Sequence, residues 1–285
     1  MSQLDAAPAT RPIIGPEQRA AYAADGCLLV PGLFDAATLA ELSDIFDDEI
    51  RGATDRGYFI RGEADGTGDG PDALNRSDVW FHNPRVRRFL FEGPLGDLAQ
   101  EAMGGGPVRI YEDLFLYRAA GIVRPTPWHH DDPQWPLSGT KTCSIWFSLE
   151  EVTPETGALR FARGSHKGPQ YVPWLPPERQ DDLAADMHHF TAGPIPDVDA
   201  DPERFPVATF TTRPGDALLF SPRTLHAAFG AAQDHPRRSL SFRFLGDDVR
   251  WQRRHTAYHD WLRAIDLPDG APLDHPRFPV VREAA

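Results

Sequence analysis

Two overlapping His-x-Asp pairs occupy the segment Trp128–Asp132, and these residue types at this spacing can bind a metal. Alternate side chains of a β-strand point to the same side, so His129 and Asp131 share one face and His130 and Asp132 share the other. Only one pair can face a metal, and the residues alone do not choose between them. With a second histidine, such a pair forms a two-His-one-carboxylate triad, which leaves metal positions open for a cosubstrate and O₂.

His226 is the candidate for the second histidine. It follows a Gly-Asp turn at Gly215-Asp216 and the apolar run Ala217–Phe220, which predicts a buried strand leading towards it. Taken without its position, a single histidine is more typical of a core residue with a satisfied hydrogen bond. The order of His-x-Asp followed by His226 favours a metal ligand.

Arg237 and Ser239 begin a further predicted strand and share one of its faces. A dicarboxylate cosubstrate that chelates the metal needs a cation at its far end, and arginine matches a carboxylate with two parallel hydrogen bonds. The serine hydroxyl offers another donor. A surface basic pair is the alternative interpretation of these residues taken alone, but the ordered set favours a cosubstrate site.

Hydrophobic periodicity predicts helices in the first third of the chain and strands afterwards. Helices are predicted from Pro16 to Gly26 and over Ala36–Ile50, Pro84–Phe91, Gly93–Met103, Pro177–Met187 and Thr256–Ile265. Strands are predicted at Cys27–Val30, Val108–Tyr111, Leu114–Arg118, around Trp128, and at Thr142–Leu149, Ala158–Ala162, Ala208–Thr211, Ala217–Phe220 and Ser239–Leu245. Short strands separated by Gly and Pro turns are typical of a barrel or a two-sheet jelly roll.

Two long segments interrupt this pattern within what we interpret as a single domain over residues 1–285, with its core at about 16–250. Residues 52–75 are rich in Gly and Asp and predict a mobile loop. Residues 168–206 are rich in Pro, and an insertion of this length in a compact domain is usually functional, as in a lid. We expect its acidic helix, including Asp186, to face solvent, while Trp174, Leu175 and Phe190 face the active site.

Composition limits the classes of partner. The chain has 285 residues, 41% of them hydrophobic, and a formal charge of −13, which argues against general binding of nucleic acids or anionic membranes. Its two cysteines, Cys27 and Cys143, lie in apolar runs and predict buried thiols in a reducing, cytoplasmic setting. No secretory signal and no apolar run of about 20 residues is visible.

Several longer motifs resemble the phytanoyl-CoA dioxygenase family, non-haem Fe(II)- and 2-oxoglutarate-dependent oxygenases on a double-stranded β-helix. The similarity runs from about Gly26 to Asp248 and rests on Asp25–Phe34, Trp128-His129-His130-Asp131, Gly157-Ala158-Leu159, Gly164–Gly168, Gly215-Asp216, His226 and Arg237. The resemblance implies a mainly β, cupin-like jelly roll with N-terminal helices. It also implies Fe(II), 2-oxoglutarate and O₂ as cofactor and cosubstrates.

The resemblance assigns roles to single residues. It implies that the iron ligands are His129, Asp131 and His226, and that Arg237 binds 2-oxoglutarate. Trp146 and Leu114 match positions that line the cosubstrate pocket. The family's common Gln is replaced by His130, and Tyr117-Arg118 stands where many bacterial relatives have Val-Lys. The chelating set is intact.

The leading hypothesis is therefore an oxygenase that hydroxylates a small molecule, either lipid-like, amino-acid-like or a secondary metabolite, with conversion of 2-oxoglutarate to succinate and CO₂. The alternative is a cupin-like metal- or ligand-binding protein without turnover. A hydrolase is disfavoured because Gly164-Ser165-His166 lacks the Gly-x-Ser-x-Gly pattern. Four tryptophans, Trp128, Trp135, Trp146 and Trp174, are interpreted as core or as the wall of a substrate pocket. The basic run Arg160–Lys167 is interpreted as a solvated face or as a site for an anionic substrate.

Overall fold

The structure is a computed structural model and describes residues 12–51, 73–123, 125–230 and 233–284. The helices within these ranges are α1 (Pro16–Asp25), α2 (Ala36–Arg51), α3 (Val79–His82), α4 (Pro84–Glu92), α5 (Leu95–Ala102), α6 (Gln180–Asp186) and α7 (Asp260–Arg263). The strands are β1 (Cys27–Val30), β2 (Ala73–Ser77), β3 (Val108–Arg118), β4 (Thr126–His129), β5 (Leu137–Ser138), β6 (Thr142–Ser148), β7 (Leu159–Ala162), β8 (Tyr171–Val172), β9 (Ala192–Pro194), β10 (Val207–Thr209), β11 (Ala217–Phe220), β12 (His226–Ala228), β13 (Arg237–Leu245), β14 (Arg250–Trp251) and β15 (Val280–Arg282).

Two antiparallel sheets form the framework. The larger has the strand order β1-β11-β6-β13-β3-β15, with β2 also paired to β3, and the smaller has the order β10-β7-β12-β4. The non-consecutive order of neighbouring strands shows that the chain crosses repeatedly between the sheets. The predicted mainly β jelly roll with N-terminal helices is confirmed.

Strand β13 shows how the larger sheet divides its two faces. Leu240, Phe242 and Phe244 are fully buried and belong to the core under the helices. Since side chains alternate along a strand, Ser239, Ser241 and Arg243 point to the opposite face. That face looks towards the smaller sheet, where Trp146, Phe161 and Phe220 share a second core. The polar residues of β13 therefore lie inside the roll.

The N-terminal helices cover the outer face of the larger sheet. Helix α1 begins at Pro16, as predicted, and ends at Gly26, whose φ of 76° allows the chain to turn into β1. Helix α2 buries Leu42, Ile45 and Phe46 at helical spacing. Both predicted cysteine thiols, Cys27 and Cys143, are buried and free.

Several boundaries differ from the sequence predictions. Residues 108–118 form one continuous strand. Strand β3 is paired with β13 along one edge and with β2 and β15 along the other, and these pairings keep it extended. The prediction of a loop over residues 52–75 is wrong for residues 73–75, which belong to β2. Residues 52–72 lie outside the described part of the chain. The helix predicted over Thr256–Ile265 is the single turn α7, and the one over Pro177–Met187 is a 3₁₀ turn followed by α6.

The C-terminal segment contributes a third core that composition does not reveal. Its members pack around Trp135 and Tyr111, and they include Trp251, Leu262, Ile265 and Phe278. Strand β15 then joins the edge of β3. Among the described residues, none of the helices has both the length and the apolar character that a membrane span requires.

Candidate metal centre

Two histidines face each other across neighbouring strands of the smaller sheet. His129 ends β4 and His226 begins β12, and the two residues are direct partners in the antiparallel register. Their ring centroids lie 4.1 Å apart. The pairing of these short strands therefore brings together two residues that are far apart in the sequence.

Asp131 completes a cluster of three potential ligands. Its Oδ1 lies 3.7 Å from His129 Nε2 and 4.0 Å from His226 Nε2. One ligand atom from each residue lies within 4.8 Å of the others, which is a suitable spacing for three ligands of one ion. The structure thus brings together the three residues to which the sequence assigns the metal.

The physical reason predicted for this convergence is wrong. Strand β4 ends at His129, and Asp131 has helical backbone angles (φ −81°, ψ −41°) rather than extended ones. Its backbone N–H donates to the Pro222 carbonyl over 2.8 Å, which fixes the turn against the segment leading to His226. The carboxylate reaches the histidines because the chain turns after β4.

Both imidazoles are oriented by a local hydrogen bond. His129 Nδ1 donates to the Pro127 carbonyl and His226 Nδ1 to the Thr224 carbonyl, each over 2.9 Å. Since a carbonyl only accepts, each ring in its neutral form directs the lone pair of Nε2 at the cluster. Burial lowers the pKa of His226 to about 3, so the ring is neutral at physiological pH, as a metal ligand must be.

The second His-x-Asp pair is directed elsewhere. His130 Nε2 donates to the Tyr171 carbonyl over 3.2 Å, and Asp132 Oδ2 accepts a hydrogen bond of 2.7 Å from Gln170. Burial lowers the pKa of the His130 ring. This pair therefore ties the loop after β4 to the segment 168–206, and its members are not part of the three-residue cluster.

The three-residue cluster fits a divalent ion by its charge as well as its spacing. The side chain of Asp131 is mostly buried, which by itself would raise its pKa, but the Arg243 guanidinium, together with smaller effects of the neighbouring histidines, holds the pKa below its usual value. The carboxylate is therefore ionised. Two imidazoles and one carboxylate form the donor set that suits non-haem Fe(II) and leaves further positions open.

The residues predicted for the cosubstrate lie on the inner face of the larger sheet. Trp146 and Leu114 flank Ser241 on the two strands that border β13. Ser239 is one pair further along and mostly buried, between Leu116 and Ser148. The structure therefore places all of these predicted residues on the same side of the sheet.

Arg237 extends this row at the outer end of β13. Its Nη1 donates to the Gly157 carbonyl over 2.9 Å, and burial lowers the pKa of the guanidinium. Arg238, the adjacent arginine, points to the opposite face, where it is bound to Glu150 and Asp47. Arg237 rather than Arg238 thus has the orientation needed to reach into the roll.

A cavity of about 940 Å³ adjoins the three-residue cluster. His129, Asp131 and Leu114 line it, and its walls are otherwise largely aromatic and aliphatic, from Trp128, Trp135, Val172, Pro173, Trp174, Leu175, Leu183, Pro194 and Ile195. Trp174 is 82% exposed, whereas Trp135, which also lines the cavity, is buried in a core. Trp135 therefore fits the interpretation as a core residue, and Trp128 and Trp174 fit the interpretation as pocket wall.

The segment 168–206 forms one wall of this cavity, as the lid hypothesis predicts, but its helix is oriented differently. Asp186 is 1% exposed, not solvent-facing, because it accepts hydrogen bonds of 2.7 Å from the backbone N–H and the hydroxyl of Thr256. Phe190 is also not on the cavity wall and lies beside Arg254. Helix α6 is thus attached to the C-terminal segment.

We expect Asp186→Ala to lower the free energy of unfolding by about 2 kcal/mol, because it leaves two buried donors of Thr256 without an acceptor. Chemical denaturation measures this value. Asp182→Ala is the matched control on the same helix, because Asp182 forms only a partly exposed ion pair with Arg179, worth at most about 1 kcal/mol. Equal losses in the two variants would contradict the anchoring role.

The basic run Arg160–Lys167 does not line the large cavity. Arg160 pairs with Asp199 over 2.6 Å, and Arg163 pairs with Asp25 over 3.0 Å. Lys167 donates to the carbonyl of Ala24 at the end of α1. These contacts support the interpretation of a structural, partly solvated surface.

Three residues that contact Asp131 or line the cavity near it were not predicted to lie at the metal centre. Arg243 Nη2 lies 3.0 Å from Asp131 Oδ2, and Tyr258 and His259 line the cavity together with Arg243. The strand pattern could have placed Arg243, because it shares a face of β13 with Arg237 and Ser239. No local pattern marks Tyr258 or His259.

A family comparison accounts for this arrangement. The sequence profile described as Phytanoyl-CoA dioxygenase (PhyH) matches residues 22–239. The chain belongs to this family. No curated protein sequence matches the chain at a significant level.

Solved structures of similar proteins agree with the PhyH assignment. The non-heme alpha ketoglutarate dependent epimerase SnoN from nogalamycin biosynthesis is 26% identical, with a TM-score of 0.69 over 94% of this chain and 98% of that one. A second SnoN structure, in complex with Fe³⁺, alpha ketoglutarate and nogalamycin RO, is 25% identical, with a TM-score of 0.70 over 93% and 98% of the two chains. EctD from S. alaskensis, at 19% identity and a TM-score of 0.70 over 89% and 84%, shares the fold.

Proposed function

We propose that this PhyH-family protein is an Fe(II)- and 2-oxoglutarate-dependent oxygenase that oxidises a small molecule. The observation that carries the proposal is the convergence of His129, Asp131 and His226 at the wall of a cavity of about 940 Å³. Bound iron would supply the activation of O₂ coupled to oxidative decarboxylation of 2-oxoglutarate. In a hydroxylation, the substrate C–H, O₂ and 2-oxoglutarate become the alcohol, succinate and CO₂.

The protein's own residues have distinct tasks in this proposal. His129, Asp131 and His226 would hold the metal, which would also bind the cosubstrate. Arg237 and Ser239, on the inner face of β13, bind the distal carboxylate of 2-oxoglutarate, and Trp146 and Leu114 form its pocket wall. The apolar walls of the cavity exclude water from the reacting groups.

The cavity favours a bulky and largely apolar substrate over an amino-acid-like one. Its volume is near the upper end of the usual range of small-molecule sites, and its polar lining includes the side chains of Asn75, Gln134 and Gln180. The lining cation Arg243 is already paired with carboxylates. Such walls suit a substrate held by apolar contact and a few neutral hydrogen bonds.

The first test is anaerobic titration by calorimetry, with Fe(II) and then 2-oxoglutarate. We expect one ion per chain and 2-oxoglutarate binding that disappears when a chelator removes the metal, because the cosubstrate needs the ion as a partner. Candidate small molecules are then added with O₂, and substrate-dependent succinate is measured. Binding of metal or of a candidate molecule, with no succinate formed from any candidate, would support the binding-protein alternative. Absence of metal binding would contradict the oxygenase.

Epimerisation is a second candidate outcome, because SnoN, the relative at 26% identity, is described as an epimerase. Both reactions consume 2-oxoglutarate and O₂, but epimerisation leaves the oxidation state of the substrate unchanged and therefore also needs two electrons from an added reductant such as ascorbate. The two reactions also differ in the product. Hydroxylation places one atom of ¹⁸O₂ in the substrate, whereas epimerisation inverts a carbon centre and adds no oxygen. Mass spectrometry of the product from the succinate-positive reaction distinguishes the two.

A further inference from the structure

A buried polar network lies behind Asp131, on the side away from the histidines. Arg243 is its centre: Nη2 lies 3.0 Å from Asp131 Oδ2 as an ion pair whose angles are not those of a hydrogen bond. Nη1 donates to Glu112 Oε1 and lies 3.1 Å from the Tyr258 hydroxyl. One guanidinium thus bridges a metal ligand and a second carboxylate.

Glu112 is the support of this arginine. It is 0% exposed and is the cross-strand partner of Arg243 in the register of β3 and β13. The Tyr258 hydroxyl donates to its Oε1 over 2.5 Å, and His259 Nε2 lies 3.1 Å from its Oε2. Both oxygens of the buried Glu112 carboxylate therefore have polar partners, and these contacts hold the carboxylate and the Arg243 guanidinium in place.

The two oxygens of Asp131 face different partners. Oδ1 is the oxygen close to both imidazole Nε2 atoms, whereas Oδ2 is the oxygen beside Arg243. A carboxylate free to rotate could give both oxygens to an ion and occupy an extra coordination position. The contact with Arg243 directs a single oxygen towards the histidines.

The charges of the network also call for a cation. Asp131 and Glu112 are two carboxylates around one guanidinium, and all three groups are largely or fully buried. An arginine guanidinium is charged throughout the physiological pH range, so one positive charge lies between two negative ones. A divalent ion at Oδ1 would compensate the remaining negative charge.

We propose that Arg243, held by Glu112, Tyr258 and His259, is a positioning residue that fixes Asp131 for coordination through one oxygen and thereby sets the metal affinity. This inference rests on the proposed function. Arg243, Tyr258 and His259 all lie beyond the part of the chain that the PhyH profile matches, residues 22–239. The network therefore links the metal centre to the C-terminal segment.

The test uses Co(II) alone as the probe, in equilibrium dialysis with the full-length protein and with the visible absorption of bound Co(II) as a report on coordination. We expect Arg243→Gln to weaken Co(II) binding by about 10- to 100-fold, the usual effect of removing a group that orients a metal ligand. Its Co(II) spectrum should also change. Arg243→Lys keeps the positive charge but loses the planar guanidinium with its several donors. Its affinity for Co(II) should therefore lie between those of the wild type and Arg243→Gln.

Arg238→Gln is the matched control, because Arg238 is an arginine on the same strand that pairs with carboxylates on the opposite face. It should bind Co(II) with the wild-type affinity and spectrum, even if its stability falls. Wild-type affinity in Arg243→Gln, or equal weakening in Arg238→Gln, would overturn the proposal. Failure of the wild-type protein to bind Co(II) would instead contradict the proposed function.

Tyr258→Phe tests the same proposal with a smaller change, in case Arg243→Gln does not fold. Tyr258→Phe removes only the hydroxyl that contacts both Glu112 and Arg243, and it leaves the aromatic ring in place. We expect weaker Co(II) binding in this variant as well, by less than in Arg243→Lys. An unchanged affinity in a folded Tyr258→Phe protein would then overturn the proposal.

Discussion

Asp131→Asn should reduce Fe(II) affinity by more than about 100-fold, beyond the usual effect of removing a group that merely orients a ligand. The substitution keeps the volume of the side chain but removes the anionic oxygen that lies 3.7 Å and 4.0 Å from the two histidine Nε2 atoms. An amide oxygen is a much weaker partner for a divalent ion. Calorimetric titration with Fe(II) under anaerobic conditions measures the loss, and succinate formation should disappear with it.

Asp132→Asn is the matched control for this variant. Asp132 is the adjacent carboxylate and its side chain is also largely shielded, but it accepts from Gln170 and lies 3.8 Å from Arg223 rather than facing His129 and His226. We expect its Fe(II) affinity to stay at the wild-type value. The reverse result, with loss of binding in Asp132→Asn alone, would assign the metal to the His130–Asp132 pair.

Arg237→Lys should raise the apparent dissociation constant of 2-oxoglutarate by about 10- to 100-fold, because hydrogen bonds to charged groups contribute about 1.5–3 kcal/mol. Lysine keeps the positive charge but cannot match a carboxylate with two parallel bonds. Titration of 2-oxoglutarate into the Fe(II)-loaded variant measures the constant. Fe(II) affinity itself should not change, because β13 carries Arg237 far along the strand from Arg243.

Arg238→Lys provides the comparison for the cosubstrate site. Its guanidinium is held by Glu150 and Asp47 on the outer face of the sheet, so 2-oxoglutarate binding should be as in the wild type. Ser239→Ala should give a smaller increase than Arg237→Lys, since it removes a neutral donor. An unchanged constant in Arg237→Lys would show that the distal carboxylate binds another group.

The architecture could be predicted because its signals are local. Period-two alternation in Ser239–Leu245 separates a face of Leu240, Phe242 and Phe244 from a polar face, and the structure uses both faces in this way. Gly and Pro also mark the ends of α1 and β1 where the structure has them. The predictions at β2 and α7 are wrong because the extent of these elements depends on partners that are distant in the sequence.

The sequence by itself determined the residue types and the order of the candidate site. His129, Asp131, His226, Arg237 and Ser239 each stand next to a segment whose strand character is readable locally. Their inward direction follows from alternation for Arg237 and Ser239. For the choice between the two His-x-Asp pairs, the residues alone left both open and the family resemblance favoured the first.

The tertiary structure alone decided how Asp131 is presented and what surrounds it. The turn after β4 depends on a hydrogen bond to Pro222, and the environment of Oδ2 depends on Arg243, Glu112 and Tyr258. The attachment of Asp186 to Thr256 likewise joins two segments that the chain order keeps apart. Such contacts arise from side-chain burial between distant segments, and a buried charge is stable only where its partner has been brought to it by the fold.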